Sequence, residues 1–454
     1  MSSLYISAAS KSSGKTSISI GLCAALRAQG KRIQAYKKGP DYIDPLWVAR
    51  ASGRNCYNLD FNTMQSDEIF ACIAQHSADV DTSIIEGNKG LYDGLDLDGS
   101  NSNAAMAALL STPIVLVIDA RGMTRGIAPL ILGYQAFDSR IRIAGVILNQ
   151  LGGSRHEAKL RAVIEHYTDV PVIGALQHDE DLIIDERHLG LIPSNEASLA
   201  ADKVRRLGDA VTQQVDLDAL SAIADEAPVV ARSTGSQPLA SPSGLRIGLA
   251  ACEAFGFYYA DDLERFRQLG AEIVEIDLQR DRRLPEIDGL FLGGGFPESR
   301  LTELEANTEM RDAIRAAIEA DLPVYAECGG LMYLSRSISW HGDRHEMVGA
   351  IPGDIVMEAR PQGRGLVRIE ANASHPWGIG TGTVTRAHEF HYSRFDGLDE
   401  DACFAYKVRR GYCIDGTHDG YTRKRLLACY SHQRDTRDNP WVERFVEYVR
   451  QHKN

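Results

Sequence analysis

Residues 322–334 read LPVYAECGGLMYL: a short apolar run, a tight turn and the start of a second apolar segment. Pro323 to Ala326 has the length and composition of a buried strand, Glu327-Cys328-Gly329-Gly330 makes a sharp turn, and Leu331 opens a helix. Cys328 therefore stands on a strand-to-helix elbow. A side chain on such an elbow is accessible to a substrate, and the N-terminal amides of the helix favour a thiolate and can donate to an oxyanion. Cysteine is equally a common small core residue, so its surroundings must decide between nucleophile and packing.

Those surroundings form an α/β pattern. Strand-like Leu245–Ala250, Glu272–Ile276 and Gly289–Leu292 alternate with helical Asp261–Leu269 and Leu301–Glu319. The run Gly293-Gly294-Gly295-Phe296-Pro297-Glu298 ends one strand, and its flexible backbone can turn an N–H toward an oxyanion beside that of Gly329; glycine runs are also common turns. A thiol nucleophile needs a base. Of thirteen histidines, His432 closes the strand-like Arg425–Ser431, while His388 and His391 lie in AHEFHYS without the spacing of a zinc-protease helix.

The first half repeats the alternation. Leu4–Ala8, Arg32–Tyr36, Thr82–Ile85, Pro113–Ile118, Ala144–Leu148 and Pro171–Leu176 read as strands separated by helices, hence a mainly parallel sheet with its ligands at the strands' carboxyl ends. After the first strand comes Ala8-Ala9-Ser10-Lys11-Ser12-Ser13-Gly14-Lys15-Thr16, followed by helical Ser17–Ala28. That context suits a phosphate loop: backbone N–H groups around Gly14 cradle phosphates, Lys15 reaches the terminal ones and the Thr16 hydroxyl can ligate magnesium. Ala8 and Ala9 stand where the motif has its first glycine, and a serine-rich helix cap is the alternative.

Later strand ends carry Lys37-Lys38-Gly39-Pro40-Asp41-Tyr42-Ile43-Asp44 and Glu86-Gly87-Asn88-Lys89-Gly90-Leu91-Tyr92-Asp93. Asp41 and Asp44 beside two lysines could hold magnesium and a phosphorylated intermediate, or form a solvated turn; Glu86 is placed as a second metal-facing carboxylate. Asp119 ends a very apolar strand, which favours a functional role because uncompensated buried charge is costly. Asn149 could read an adenine edge or form a turn.

At 454 residues the chain calls for two cores. The proline- and serine-rich stretch 227–244 is the expected linker, between domains at 1–226 and 245–454. Residues 177–225 read as a satellite helical region. The eight cysteines include no CxxC pair, against a zinc ribbon or disulfide framework. A net charge of -13 speaks against duplex nucleic acid as a partner, and no stretch approaches the roughly 20 apolar residues of a membrane span. The expected location is the cytoplasm.

SGKTSISIGL, KKGPDYIDP, EGNKGLYDG, VIDARGMTRG, RHLGL, AFGFYY, GGGFPE, AECGGLMYL and HEFHYS, in this order, closely resemble the cobyrinic acid a,c-diamide synthase family. The resemblance spans nearly the whole chain. It implies an α/β protein of two domains: a P-loop, dethiobiotin-synthetase-like parallel sheet, then a class I glutamine amidotransferase domain of flavodoxin-like fold. The implied activity is ATP- and glutamine-dependent amidation of the a and c acetate carboxylates of an anionic tetrapyrrole, cobyrinic or hydrogenobyrinic acid, through an acyl phosphate. It further implies that Ser13, Gly14, Lys15, Thr16, Ser17 and Asn149 bind ATP, and that Thr16, Asp41 and Glu86 hold magnesium. Lys37 would face the transferred phosphoryl as a catalytic group, Asp44, also catalytic, and Asp93 would position substrate or metal, and Tyr42, Tyr92 and Asp93 would bind the tetrapyrrole. Cys328 and His432 would hydrolyse glutamine, with the amides of Gly294, Gly295 and Gly329 as oxyanion hole. Paired subunits, a homodimer, are usual for this fold.

Two departures stand out. Class I glutaminases usually carry a glutamate two residues after the histidine, whereas this chain reads His432-Gln433-Arg434; Ala251-Cys252 replaces the family's usual Arg-Asp. Sirohydrochlorin or sirohaem is thus an alternative substrate. An alternative of another class is a P-loop switch ATPase or scaffold with an inactive glutaminase domain.

Overall fold

The computed structural model describes residues 2–187, 190–196, 199–228 and 244–453. The chain divides into two compact units, Met1–Ser236 and Gln237–Asn454. Most of the expected linker, and His188 and Leu189 of RHLGL, lie outside the described residues.

The first unit is built on seven parallel strands in the spatial order Cys56–Leu59, Ile33–Lys38, Thr82–Glu86, Ser2–Ala8, Ile114–Asp119, Ile143–Leu151, Val172–Gln177. The six strands read from sequence are all present. Cys56–Leu59 escaped because a four-residue edge strand, CYNL, carries too short a pattern. The strands are buried on both faces, as a parallel sheet requires. Residues 177–225 are not a satellite. Helices Ala200–Gln214 and Leu217–Asp225 place Leu207, Val211, Leu220 and Ile223 in the main core. The first of them packs onto helix Lys15–Ala28 at Gly21, where a Cβ would lie 2.4 Å from Val211.

The second unit has a nine-stranded mixed sheet. Ala271–Ile276, Leu245–Ala250, Gly289–Leu292, Val324–Glu327 and Leu426–Cys429 run parallel. The sheet continues antiparallel through His418–Arg423, Cys403–Arg410, Gly363–Ala371 and Val384–His391. The parallel half matches the flavodoxin-like expectation; the antiparallel half has no counterpart in the sequence reading, and AHEFHYS covers the end of its last strand, a bend at Tyr392 and the start of strand Ser393–Asp396. An aromatic cluster of Phe266, Phe291, Tyr325 and Trp441 fills one face, with Phe291 and Tyr325 stacked at 5.3 Å.

Two expectations need correction. The single helix at 301–319 is two, Leu301–Ala306 and Thr308–Glu319. Asn307 breaks it because its buried amide donates to the carbonyls of Leu278 and Asp281, at 2.8 and 2.9 Å, which fixes a non-helical backbone. The turn at 327–330 is also tighter than expected: the strand runs through Glu327 and the helix begins at Gly329, so Cys328 alone makes the corner.

That corner is possible only because Gly330 lies against the neighbouring strand, where a Cβ would sit 2.1 Å from the Leu292 carbonyl oxygen. Gly330→Ala must displace backbone. It is expected to destabilise the second unit by about 1–3 kcal/mol, measured as a lower denaturant midpoint, with the first unit's transition unmoved.

Candidate active site

At the carboxyl end of the first unit's sheet, strand Ser2–Ala8 passes through a loop into helix Lys15–Ala28, so Lys15, Thr16 and Ser17 occupy the first helical turn. Gly14 has φ +88°, and a Cβ there would fall 2.1 Å from Asn149 Nδ2. Glycine is required for conformation and for space. The Asn149 amide donates to the Ser13 carbonyl at 3.0 Å, so in this structure it braces the loop. Neither Ala8 nor Ala9 takes positive φ, which is why alanine is tolerated where the motif carries glycine.

Beside the loop, three carboxylates surround one lysine. Lys37 Nζ, with its side chain only 3% exposed, lies 2.5 Å from Asp44, 2.6 Å from Glu86 and 3.8 Å from Asp41. The Thr16 hydroxyl lies 2.8 Å from Glu86 Oε1 and 3.1 Å from Asp44 Oδ2. Burying an ion costs several kcal/mol, and one opposite charge at 4 Å recovers about 4 kcal/mol at an effective dielectric of about 20. With three partners the lysine stays charged. Burial pushes Lys37 down, yet Asp44, Glu86 and Asp41 raise it well above its ordinary value. Burial likewise raises Asp44, but Lys37 overcomes it and holds the carboxyl below the usual range. Asp41 is pushed up to about 7 by burial and by Asp44.

The two aspartates do different work. Asp41 Oδ1 accepts from the backbone N–H groups of Ile43 and Asp44, at 3.0 and 3.1 Å, and caps helix Ile43–Ser52. Asp44, with Glu86, meets the Thr16 hydroxyl. Hard oxygen donors at Thr16, Asp44 and Glu86 suit magnesium, and Glu86 Oε2 is buried without a hydrogen-bond partner. Among the described residues no group of three or more His, Cys, Asp or Glu side chains is arranged to enclose a metal. Magnesium commonly takes one or two carboxylates and completes its shell with phosphate and water.

Of the remaining candidates, Tyr42 is buried at the start of the same helix. Tyr92 donates to the Tyr134 carbonyl, and Asp93 accepts from the Gly90 N–H at 2.9 Å, so both shape the loop after Glu86. Asp119 is not a lone buried acid: it pairs with exposed Arg121 at 2.6 Å.

In the second unit Cys328 has φ +45°, a conformation that costs a non-glycine residue strain and clusters at functional sites. It is 5% exposed, and its N–H donates to the Cys429 carbonyl at 2.8 Å. That bond continues the parallel register, in which Glu327 faces Cys429. Three residues beyond Cys429, the chain brings His432 next to Cys328, near enough for the thiol to bear on the charge of the imidazole. Gly294 must be glycine, because a Cβ would lie 2.5 Å from His432 Cε1. A Cβ on Gly329 would lie 3.0 Å from the Gly295 nitrogen, so the backbones expected to form the oxyanion hole do meet.

His432 has two further neighbours. Its Nδ1 lies 3.4 Å from Glu327 Oε2, and His388 stacks on its ring at 4.8 Å through an antiparallel bridge between the two residues. Burial disfavours charge on His432, but Cys328 and then Glu327 overcome it and raise the group to about 10. His388, by burial and by the charge of His432, is held well below its ordinary value and stays neutral.

Comparison with known proteins follows this division. Residues 246–439 match the CobB/CobQ-like glutamine amidotransferase domain, and residues 2–185 an AAA domain. Cobyrinate a,c-diamide synthase of Magnetococcus marinus is 44% identical over 94% of this chain and 93% of its own length. The chain belongs to the cobyrinate a,c-diamide synthase family. Members so named from Methanosarcina acetivorans and Listeria innocua are 39% and 38% identical, over 94% and 95% of this chain and 91% and 96% of their own. As a member of this family the chain is a carbon–nitrogen ligase of the glutamine-dependent amidotransferase type. No helix among the described residues is long and apolar enough to cross a membrane.

Sequence reading passed over Glu327 and His388. The signal for Glu327 was the alternation Tyr325-Ala326-Glu327, which puts an acid and a tyrosine on one strand face. For His388 there is none, because only non-local pairing of Val384–His391 brings it beside His432.

The raised His432 gives a pH dependence of definite sign. A histidine whose folded value lies above its unfolded 6.5 adds stability that is fully present below 6.5 and is lost as pH rises through about 10. The thermal midpoint of the second unit should therefore fall between pH 6.5 and 10. In His432→Gln that part of the slope should disappear.

Proposed function

We propose that the chain uses ATP and glutamine to amidate the a and c acetate carboxylates of cobyrinic acid or its metal-free counterpart. The observation that carries this reading is a strained Cys328 beside His432 in one unit, with a phosphate loop facing a Lys37-centred carboxylate nest in the other. The substrate rests on the relatives, which are named for cobyrinate.

A carboxylate is a poor electrophile toward an amine. In the first unit the acetate oxygen attacks the γ-phosphorus of ATP, ADP departs, and an acyl phosphate results. Backbone N–H groups of Ser13 and Gly14, with Lys15 and Thr16, hold the phosphates, and Asn149 keeps their loop in shape. Lys37 offers positive charge to the transferred phosphoryl, and Asp44 holds Lys37 in place. Magnesium, held by Thr16, Asp44 and Glu86, would supply charge neutralisation for the phosphate oxygens. Asp41, assigned to the metal from sequence, supports the helix that carries Asp44. Tyr42, Tyr92 and Asp93 border this region as the proposed contacts of the macrocycle.

In the second unit the Cys328 sulfur attacks the glutamine amide carbon. The oxyanion is received by the amides of Gly294, Gly295 and Gly329, and His432 gives a proton to the departing ammonia. Water then hydrolyses the thioester to glutamate. Ammonia attacks the acyl phosphate and releases inorganic phosphate. A cytoplasmic homodimer is part of the same proposal.

Mass-spectrometric assay with ATP and glutamine, offering cobyrinic acid and sirohydrochlorin side by side, tests the substrate. Two amidations of cobyrinic acid are expected; preference for sirohydrochlorin replaces the substrate and leaves the chemistry standing. Lys15→Ala should lower amidation about 10²–10³-fold and retain glutamine hydrolysis. Equal loss of both activities counts against the division of labour. Cys328→Ala should lose glutamine-dependent amidation by about three orders of magnitude or more yet work with ammonium, and failure with ammonium gives Cys328 a wider role.

A further inference from the structure

Class I glutaminases usually orient their histidine with a glutamate two residues beyond it. Here that position holds Arg434, whose guanidinium turns away to pair with Asp261 at 2.6 Å and to lie over the Tyr259 ring at 5.0 Å. A different acid meets the imidazole.

We infer that Glu327, the residue immediately before the nucleophile, is the positioning residue of His432: its Oε2 faces Nδ1, so that Nε2 is presented to Cys328. The inference rests on the reading of Cys328 and His432 as a glutaminase pair.

Glu327 is fitted for this and for little else. Only 2% exposed, it has Oε1 fully engaged, accepting from the Tyr325 hydroxyl at 2.6 Å and the Gln433 N–H at 2.9 Å. Both bonds pin the carboxylate and leave Oε2 to His432. Gln433 is held in turn: its side-chain amide donates to the hydroxyls of Tyr325 and Tyr406, and Asn439 donates to its carbonyl. A buried carboxylate needs a cationic or hydrogen-bonding partner, and His432 is the cationic one in contact.

The other ionisable groups around the pair leave this assignment intact. Cys328 faces the ring from the nucleophile's side, and His388 stacks on it as a neutral imidazole, in contact with the Tyr259 hydroxyl. Tyr258, Tyr325, Tyr406 and Cys429, near Glu327 or its supports, are all raised by burial and remain uncharged.

During hydrolysis the proton shuttles between Cys328, His432 and the leaving ammonia. Glu327 fixes the tautomer and stabilises the imidazolium.

The test is glutamine hydrolysis by Glu327→Gln across the pH range, beside wild type, Cys328→Ala and His432→Ala. Glutamine keeps the acceptor for Tyr325 and Gln433 but removes the charge. Expected are a kcat lowered about 10²–10⁴-fold, a KM changed much less, and the pH-profile limb belonging to His432 moved to lower pH. Ammonium-supported amidation should be unchanged. If His432→Ala hydrolyses glutamine like wild type, the parent reading falls and this inference with it. If His432→Ala is dead while Glu327→Gln keeps the wild-type kcat and limb, this inference alone is overturned. Should Glu327→Gln fail to fold, Glu327→Asp decides: with the carboxylate drawn back by one methylene, a lowered kcat and a limb moved toward that of free histidine support the assignment, and a wild-type kcat and limb overturn it.

Discussion

The chemistry of the second unit depends on the register between Val324–Glu327 and Leu426–Cys429. Parallel pairing places Glu327 opposite Cys429 and extends by one hydrogen bond, from the Cys328 N–H to the Cys429 carbonyl, at the point where the chain turns. His432 then arrives beside Cys328 with no choice of side. A slip of one residue would reverse the face of every side chain on the strand. It would take Tyr325 and Glu327 out of the site together. The aromatic cluster around Phe291, Tyr325 and Trp441 guards against that slip, because Tyr325 is both a core residue and the donor to Glu327.

The first unit reaches its arrangement by another route. Its functional residues come from the ends of four strands and from the loop before one helix, and parallel pairing aligns those ends. Strand Ser2–Ala8 sits between Thr82–Glu86 and Ile114–Asp119, so Glu86 and the phosphate loop are neighbours although about 70 residues separate them in sequence. Lys37 enters from the strand beside Glu86.

What sequence made legible was local. Strand and helix periods, the phosphate loop, the cysteine elbow and the glycine run each declare themselves over a few residues, and the structure has all of them. What escaped was non-local or broke a local rule. The antiparallel strands of residues 363–423 pair across long loops, so their short patterns carried no partner information. Asn307 interrupts a continuous helical pattern because distant carbonyls claim its side chain. Asp41 and Asp44 are indistinguishable as acids in a loop, and only the helix beginning between them separates cap from site. The acid beside His432 lies about a hundred residues away from it in sequence, at a position where one looks for the nucleophile and not for its support.

The lysine among three acids has a bearing on how the first unit comes into being. Carboxylates brought together at the ends of parallel strands repel one another, and a chain that left them so would need a visiting cation before its sheet could close. Here the compensating charge is covalently part of the strand next door, and it arrives with the same pairing event that gathers the acids. The charge that balances the acids therefore belongs to the polypeptide itself.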